Sequence, residues 1–174
     1  MIQVFPVGAS EPQVLGLLQC LTSELAVEGY TSGQTFGYTP EQLQTANVYL
    51  VAARVDGRLA GMGGLELQED GVGELKRFFV TPEYRGLGVA DAVLSALLDY
   101  AKGQNLDVLR LETGDKQRAA IAFYRRHNFV EVPRFGPYVG SETSVCMQRR
   151  LLGRGGDPRP PGGAWVENAQ RPRV

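Results

Sequence analysis

A glycine-rich turn carries the clearest chemical signal in the chain, Arg85-Gly86-Leu87-Gly88-Val89-Ala90. It lies between an apolar segment typical of a strand, 75–80, and an amphipathic segment typical of a helix, 89–102. The first N–H groups of a helix have no intrahelical partner, and the helix dipole adds partial positive charge beside them. Arg85 adds a permanent cation whose forked geometry suits phosphate. The turn is therefore predicted to bind the phosphate groups of a cofactor.

A dinucleotide is one cofactor that such a turn could hold. Gly86, Gly88 and Ala90 are spaced small residues between a strand and a helix, and Glu112 ends the next strand near the position of a ribose-binding acid. However, an antiparallel meander is predicted before the turn, and too little chain follows Glu112 for a doubly wound parallel sheet. The bulky Arg85 would also crowd a tight dinucleotide loop. The dinucleotide interpretation is therefore disfavoured.

The elements that must position this turn follow from the spacing of apolar residues and from turn and capping signals. Strands are predicted at 2–7, 48–55, 58–67, 74–80, 108–112, 129–132 and 145–151, and helices at 11–28, 40–46, 89–102 and 117–126. Thr39-Pro40-Glu41-Gln42 has the pattern of a capping box. From residue 153 onward Gly, Pro and Arg dominate, so we predict one domain, 1–152, and a disordered tail, 153–174.

Composition excludes several classes of function. The 174 residues suit one globular domain, and the formal net charge of −1 argues against nucleic acid as the main partner. Two separated cysteines and a single histidine do not make a standard zinc site, so no metal is expected. No apolar run is long enough to span a membrane, and the first residues lack the pattern of a signal peptide. We expect a cytoplasmic protein that binds neither nucleic acid nor membranes.

Two segments together resemble the GNAT family of acetyltransferases. The run from Glu74 to Ala90 resembles that family's strand and its Arg/Gln-x-x-Gly-x-Gly/Ala pyrophosphate loop. The run 119–129 resembles the family's helix, with Tyr124 five residues before the phenylalanine of a Gly-Phe pair; Asn128 replaces the glycine here. The resemblance covers about residues 1 to 152. It implies an α/β fold of the GNAT type, with a central mixed, mostly antiparallel sheet of six to seven strands flanked by helices.

The resemblance also implies a reaction, the transfer of an acetyl group from acetyl-coenzyme A to an amine without a metal. Glu74 matches the position of a catalytic glutamate in some members, so it is the candidate base that removes the amine's proton. Glu66 or an acid on the neighbouring strand remain alternatives. Tyr124 matches the position where a phenol reaches the coenzyme sulfur, so it is the candidate acid for the leaving thiolate.

The same resemblance implies the residues that bind the coenzyme. Backbone N–H groups near Phe79 and Val80 are expected to bind the thioester and pantetheine. Gln117 stands near the position where the family carries a cofactor-contacting asparagine. The pyrophosphate is expected at six consecutive residues, Arg85, Gly86, Leu87, Gly88, Val89 and Ala90.

The acceptor is expected to be a small amine. A protein N-terminus or lysine side chain is an alternative, and so is a non-catalytic sensor that binds acyl-coenzyme A. The aromatic loop 133–142 is expected to shape the acceptor pocket, because aromatic residues in loops tend to line sites. A homodimer is left open.

Overall fold

Seven strands form one sheet within residues 1–151, which are the residues that the computed structural model describes. The strands are β1 (Ile2–Pro6), β2 (Val48–Val55), β3 (Arg58–Leu67), β4 (Val72–Val80), β5 (Val108–Gly114), β6 (Val130–Val132) and β7 (Ser144–Arg150). The helices are α1 (Pro12–Val27), α2 (Pro40–Thr45), α3 (Val89–Gly103) and α4 (Arg118–Arg126). The tail predicted at 153–174, with its boundary at 152, lies outside the described residues.

The strand order is β1-β2-β3-β4-β5-β7-β6. In the described part of the chain β4 and β5 are the one parallel pair, and every other pair is antiparallel. The predicted mixed, mostly antiparallel sheet is therefore confirmed. A doubly wound parallel sheet, which the dinucleotide interpretation required, is not present in residues 1–151.

Helices cover both faces of this sheet. On one face α3 and α4 pack against the strands because their apolar residues recur at helical spacing; α3 alone buries Val89, Val93, Leu94, Leu97, Leu98 and Ala101. On the other face α1 and α2 pack with Met62 and Phe79 in a second cluster. No helix within residues 1–151 has the length and apolarity that crossing a membrane would require.

The start of α2 follows the predicted capping box. The Thr39 hydroxyl accepts a hydrogen bond from the Gln42 backbone N–H at 3.2 Å, and the Gln42 side chain accepts one from the Thr39 N–H at 2.8 Å. These two bonds satisfy N–H groups that a helix start would otherwise leave unpaired. With Leu43 buried beneath it, α2 anchors one end of the loop 28–39 above the sheet.

The strands β4 and β5 separate soon after they meet. Only Val72, Gly73 and Glu74 pair with β5, opposite Val108–Arg110. Beyond Glu74, β4 continues beside β3 alone, and beyond Arg110, β5 continues beside β7 alone. A wedge-shaped gap therefore opens in the middle of the sheet, and both of its edges carry backbone polar groups.

A bulge interrupts β4 beside this gap. The pairing between β3 and β4 shifts between Met62 and Gly64, and Arg77 adopts a left-handed φ of 53°. Because the extra residue resets the alternation of side chains, Lys76 and Arg77 lie on the same face of the sheet. Lys76 Nζ sits 4.6 Å from the centre of the Tyr38 ring, and Arg77 reaches α1, whereas Phe78 packs against α4 on the opposite face.

Candidate active site

A cleft of about 670 Å³ occupies the gap between β4 and β5. One end lies at the glycine-rich turn and the start of α3, and the other at the loop 28–39 and Tyr138. Side chains from α1 and α4 complete its walls. A volume of this size suits the binding of a small molecule or cofactor.

The glycine-rich turn has the backbone that an anion site requires. Gly86 and Gly88 both have left-handed φ angles, 77° and 84°, which glycine adopts without a steric penalty. Gly88 is the N-cap of α3 and supplies no side-chain hydrogen bond, so N–H groups of the first turn stay available to a ligand. Gly86, Gly88, Val89 and Ala90 line the cleft, whereas Leu87 is 57% exposed and does not.

The Arg85 side chain binds within the protein. Its Nε donates to the Val80 carbonyl at 2.9 Å, and its Nη2 forms an ion pair with Glu24 of α1. The guanidinium therefore ties the turn to β4 and α1 while lining the cleft. The sequence pattern predicted that Arg85 is a phosphate-binding cation. Its ion pair with Glu24 already compensates part of the positive charge of the guanidinium.

Further polar groups line the cleft near the start of α4. Gln117, the N-cap of α4, accepts a hydrogen bond from the Thr113 hydroxyl at 2.9 Å and donates to Glu28 at 3.2 Å. Three cations, Lys116, Arg118 and Arg126, also line the cleft. Gln117 was predicted from the sequence, whereas Thr113, Lys116, Arg118 and Arg126 were not, because no local pattern shows that β5 and α4 border the gap.

The backbone of β4 presents alternate polar groups to the gap. The Val80 carbonyl faces away from β3 and accepts from Arg85, whereas the Phe79 carbonyl faces β3, lying 2.7 Å from where a Cβ on Gly61 would stand. In a strand the N–H and C=O of one residue point to the same side. The backbone N–H and C=O of Val80 therefore point into the gap, and by alternation those of Phe78 do so too. Phe79 contributes its side chain to the cleft wall, and Phe78 is a residue that the sequence pattern did not identify.

Tyr124 lies in the cleft wall with 6% of its surface exposed. Its ring packs edge-on against Phe78, Phe123 and Phe129. Among residues 1–151 no hydrogen-bond partner is found for its hydroxyl. Burial raises the pKa of Tyr124 well above its ordinary value, so the phenol stays protonated and can act only as a proton donor at neutral pH.

Glu74 is 3% exposed and is not among the residues that line the cleft. Its Oε1 accepts a short hydrogen bond from the Tyr138 hydroxyl and pairs with Lys76 Nζ at 2.9 Å; its Oε2 accepts from Gln68 at 2.7 Å. Lys76 also donates to the Tyr138 hydroxyl at 3.0 Å. Burial and the adjacent Glu74 carboxylate raise the pKa of Tyr138. Tyr138 therefore stands between Glu74 and the cleft.

Glu112 of β5 lines the cleft directly. Its Oε1 accepts a hydrogen bond from the Ser144 hydroxyl at 2.8 Å. Burial is the main cause that raises the pKa of Glu112 above its ordinary value, the neighbouring Glu74 carboxylate adds to the increase, and Ser144 opposes it. A carboxylate with a raised pKa is a better general base. From the sequence, Glu112 was considered only as a ribose-binding acid. An unnamed acid on the neighbouring strand was, however, among the alternatives for the base.

The chain belongs to the GNAT acetyltransferase family, because the model of that family matches residues 18–129, which is more than half of the chain. It is an acetyl-coenzyme A-dependent N-acetyltransferase. A protein named IAA acetyltransferase from Azospirillum brasilense is 35% identical over 112 residues, which cover 64% of this chain and 73% of that protein. The uncharacterized N-acetyltransferase YedL of Escherichia coli is 37% identical over 83 residues, 47% of this chain and 52% of its own length.

Solved structures agree with the fold. A GNAT-family acetyltransferase from Staphylococcus aureus superimposes with a TM-score of 0.70 at 22% identity, over 87% of this chain and 100% of that one. A PaiA N-acetyltransferase from Thermoplasma acidophilum, crystallised with coenzyme A, superimposes with a TM-score of 0.71 at 15% identity. The match covers 87% of this chain and 99% of that one. The resemblance inferred from the two motifs is therefore confirmed.

Gly88→Ala is predicted to weaken coenzyme binding. Any side chain at a φ of 84° is strained by about 1–2 kcal/mol, and relief of the strain would turn the first N–H groups of α3 away from the cleft. We expect the KM for acetyl-coenzyme A to rise about tenfold. Steady-state kinetics and calorimetric titration with coenzyme A measure the effect.

Gly16→Ala is the matched control for this variant. Gly16 is exposed on α1, has no left-handed φ, and would place its Cβ in open space. Its substitution should leave the KM unchanged. An unaltered coenzyme affinity in Gly88→Ala would show that the turn does not bind the pyrophosphate.

Proposed function

We propose that this enzyme acetylates the primary amine of a small molecule by direct attack in a ternary complex. The observation that supports this proposal best is the pairing of a protonated phenol, Tyr124, with a carboxylate of raised pKa, Glu112, in the walls of one cleft. The reaction needs one group that releases a proton and one that accepts a proton. Tyr124 can release one, and Glu112 can accept one.

Direct transfer requires no covalent enzyme intermediate. The amine nitrogen forms a bond with the thioester carbon, the carbon–sulfur bond breaks, and the electron pair leaves on the sulfur. Neither cysteine lines the cleft, since Cys20 is exposed on α1 and Cys146 is buried in β7. No thiol is therefore placed to accept the acetyl group first, which supports attack by the amine itself.

The open edge of β4 would polarise the thioester. The N–H groups of Phe78 and Val80 face the gap, where no strand competes for them within residues 1–151. An N–H group fixed in a gap shielded from water stabilises the negative charge that develops on the carbonyl oxygen. We assign Phe78 to the thioester carbonyl and Val80 to the pantetheine arm. The Phe79 side chain packs beside them.

Two carboxylates are candidates for the base, and their surroundings differ. Glu112 faces the cleft and could take the amine's proton directly or through one water. Glu74, the base that the sequence pattern suggested, has both oxygens hydrogen-bonded and could exchange a proton with the cleft only through Tyr138. We therefore propose Glu112 as the base and Glu74 as the residue that positions Tyr138 and Lys76.

The thiolate that leaves would receive its proton from Tyr124. The hydroxyl of Tyr124 has no competing partner in the described part of the chain, and burial keeps it protonated. After transfer, solvent reached through the cleft would restore the proton. The turn 85–90, with Gln117 at the α4 side, would hold the rest of the coenzyme.

The acceptor end of the cleft favours a small molecule. The Phe36 and Tyr138 rings meet edge-on with their centres 5.1 Å apart, and Phe135 packs on Tyr138 from another side at 5.3 Å. These aromatic residues come from two separate loops that meet over the gap. A wall of this kind encloses a small acceptor, whereas a protein segment would need an open groove.

A panel of amines tests the proposed function. Release of free coenzyme A thiol is expected with at least one class of small primary amine, and plots of initial velocity against both substrates should intersect, as a ternary complex requires. Transfer only to protein N-termini or lysine side chains would give the enzyme a protein substrate instead. Binding of acetyl-coenzyme A without transfer to any amine would indicate a sensor.

Tyr124→Phe is predicted to lower kcat about 100-fold, since a positioned acid contributes on the order of 10² to 10⁴ to rate. The KM for acetyl-coenzyme A should change little because the ring remains. Tyr49→Phe is the control, because Tyr49 stacks on Tyr100 outside the cleft lining. Full activity of Tyr124→Phe would exclude the acid role.

Glu112→Gln is predicted to lower kcat/KM, expressed per unprotonated amine, about 100-fold and to remove the acidic limb of the pH profile of that quantity. A base works only above its pKa, so the wild-type rate should fall as the pH drops through the raised pKa of Glu112. Glu74→Gln should reduce activity but keep that limb. If Glu74→Gln lost the acidic limb of the pH profile and Glu112→Gln kept it, the base would be Glu74.

A further inference from the structure

Arg77 owes its position to the bulge in β4. Regular alternation would direct residue 77 toward α3 and α4, on the same face as Leu75. The bulge turns it toward α1 instead, where Nη2 lies 3.5 Å from the Thr22 hydroxyl. A φ of 53° is strained for a non-glycine residue, and such strained residues are concentrated at binding sites. The strain places a guanidinium in the wall of the cleft.

The charge of Arg77 has no counter-ion in the part of the chain that the structure describes. No carboxylate of residues 1–151 lies within ion-pair distance of it, and its buried Nε has no hydrogen-bond partner. Burial lowers the pKa of Arg77 from its ordinary value. Lys76 and Arg85, the neighbouring cations of the cleft, are paired with Glu74 and Glu24. A partly buried cation without an anion is costly, so an anionic ligand would stabilise this site.

The chain leaves room for the Arg77 guanidinium at Gly37. A Cβ on Gly37 would clash with Nη1, so a glycine lets the loop pass directly over the charged group. The next residue toward the N-terminus, Phe36, packs on Tyr138. The Arg77 guanidinium therefore borders the same aromatic wall that encloses the acceptor end of the cleft, and Glu112 lines that cleft as well.

We propose that the acceptor amine carries a carboxylate and that Arg77 binds it, so that the substrate belongs to the amino-acid class. This inference rests on the proposed function. The guanidinium fork matches a carboxylate with two parallel hydrogen bonds. A carboxylate fits better than a phosphate dianion, because Arg77 supplies one positive charge and the adjacent Lys76 is already committed to Glu74. The acceptor's amine would then lie toward Glu112.

Matched pairs of acceptors test the proposal on the wild-type enzyme. Alanine, leucine and phenylalanine are each compared with their primary amides, which differ in charge but hardly in shape, and kcat/KM is expressed per unprotonated amine. At least one acid is expected to exceed its amide about tenfold or more through a lower KM. Equal use of acid and amide in every pair would overturn the proposal.

Arg77→Met separates binding from structure. Methionine has nearly the same reach without the charge, so the ratio of kcat/KM for the acid to kcat/KM for its amide should fall toward one. Arg58→Met, at the exposed start of β3, is the control and should keep the preference. Retention of the preference in Arg77→Met would overturn the role of Arg77. If that variant does not fold, Arg77→Lys retains the charge but loses the fork, and the preference should fall.

A binding measurement distinguishes failure of this inference from failure of the proposed function. Calorimetric titration of the coenzyme A-bound enzyme with propionate, 4-methylpentanoate and 3-phenylpropionate, and with their amides, needs no turnover. A carboxylate that binds at least tenfold tighter than its amide, with the difference lost in Arg77→Met, supports the proposal even if no amine is acetylated. Equal affinity for acid and amide in all three pairs contradicts it, whether or not amines are acetylated.

Discussion

The separation of β4 from β5 after Glu74 is the constraint on which the rest of the structure depends. Inside a sheet, each strand satisfies the backbone groups of its neighbours, and a ligand has nothing to bind. Here β4 keeps β3 on one side and loses its partner on the other from Leu75 to Val80. The free edge is tolerable because a ligand with its own amide groups can satisfy it. Cofactor binding and the stability of the central sheet are therefore linked.

The buried polar network at the apex of the gap explains how the strands are held apart. Glu74 is the last β4 residue paired with β5, and it joins Lys76 on the same strand to Tyr138 in the loop before β7. A buried ion pair adds little net stability, but removing one partner is costly because the other charge is left unpaired. Such a network is better suited to fixing geometry than to stabilising the fold. It connects the apex of the gap with the aromatic wall of the acceptor end.

The sequence predicted the parts of the enzyme that depend on local patterns. The strand at 58–67, the capping box at Thr39 and the turn from Arg85 to Ala90 each lie within a few consecutive residues, and the structure has all three. Glu74 was also placed correctly in the strand that leads to the turn, although β4 begins two residues earlier, at Val72. Its isolation from the cleft was not predictable, because Tyr138, which covers it, lies in a distant loop.

Arg77 shows why the proposed acceptor site was harder to predict from the sequence. Alternation along β4 would have assigned it to the apolar face, and the bulge that redirects it arises from the pairing with β3, not from the residues around position 77. Glu112 was recognised as a strand end, but only the separation of β4 and β5 shows that it faces the cleft. Contacts that depend on the register of separate strands leave no periodic signal in either strand.

The donor and acceptor ends of the cleft therefore differ in how the chain builds them. The proposed pyrophosphate site consists of one turn and the start of the helix that follows it, so a change in that segment is expected to alter coenzyme binding directly. The acceptor end combines the β4 bulge, β5 and two loops that meet through Phe36 and Tyr138. Either loop can change its residues while β4, β5 and the glycine-rich turn remain intact. This separation explains physically why one fold can keep the same acetyl donor while its members accept different acceptors.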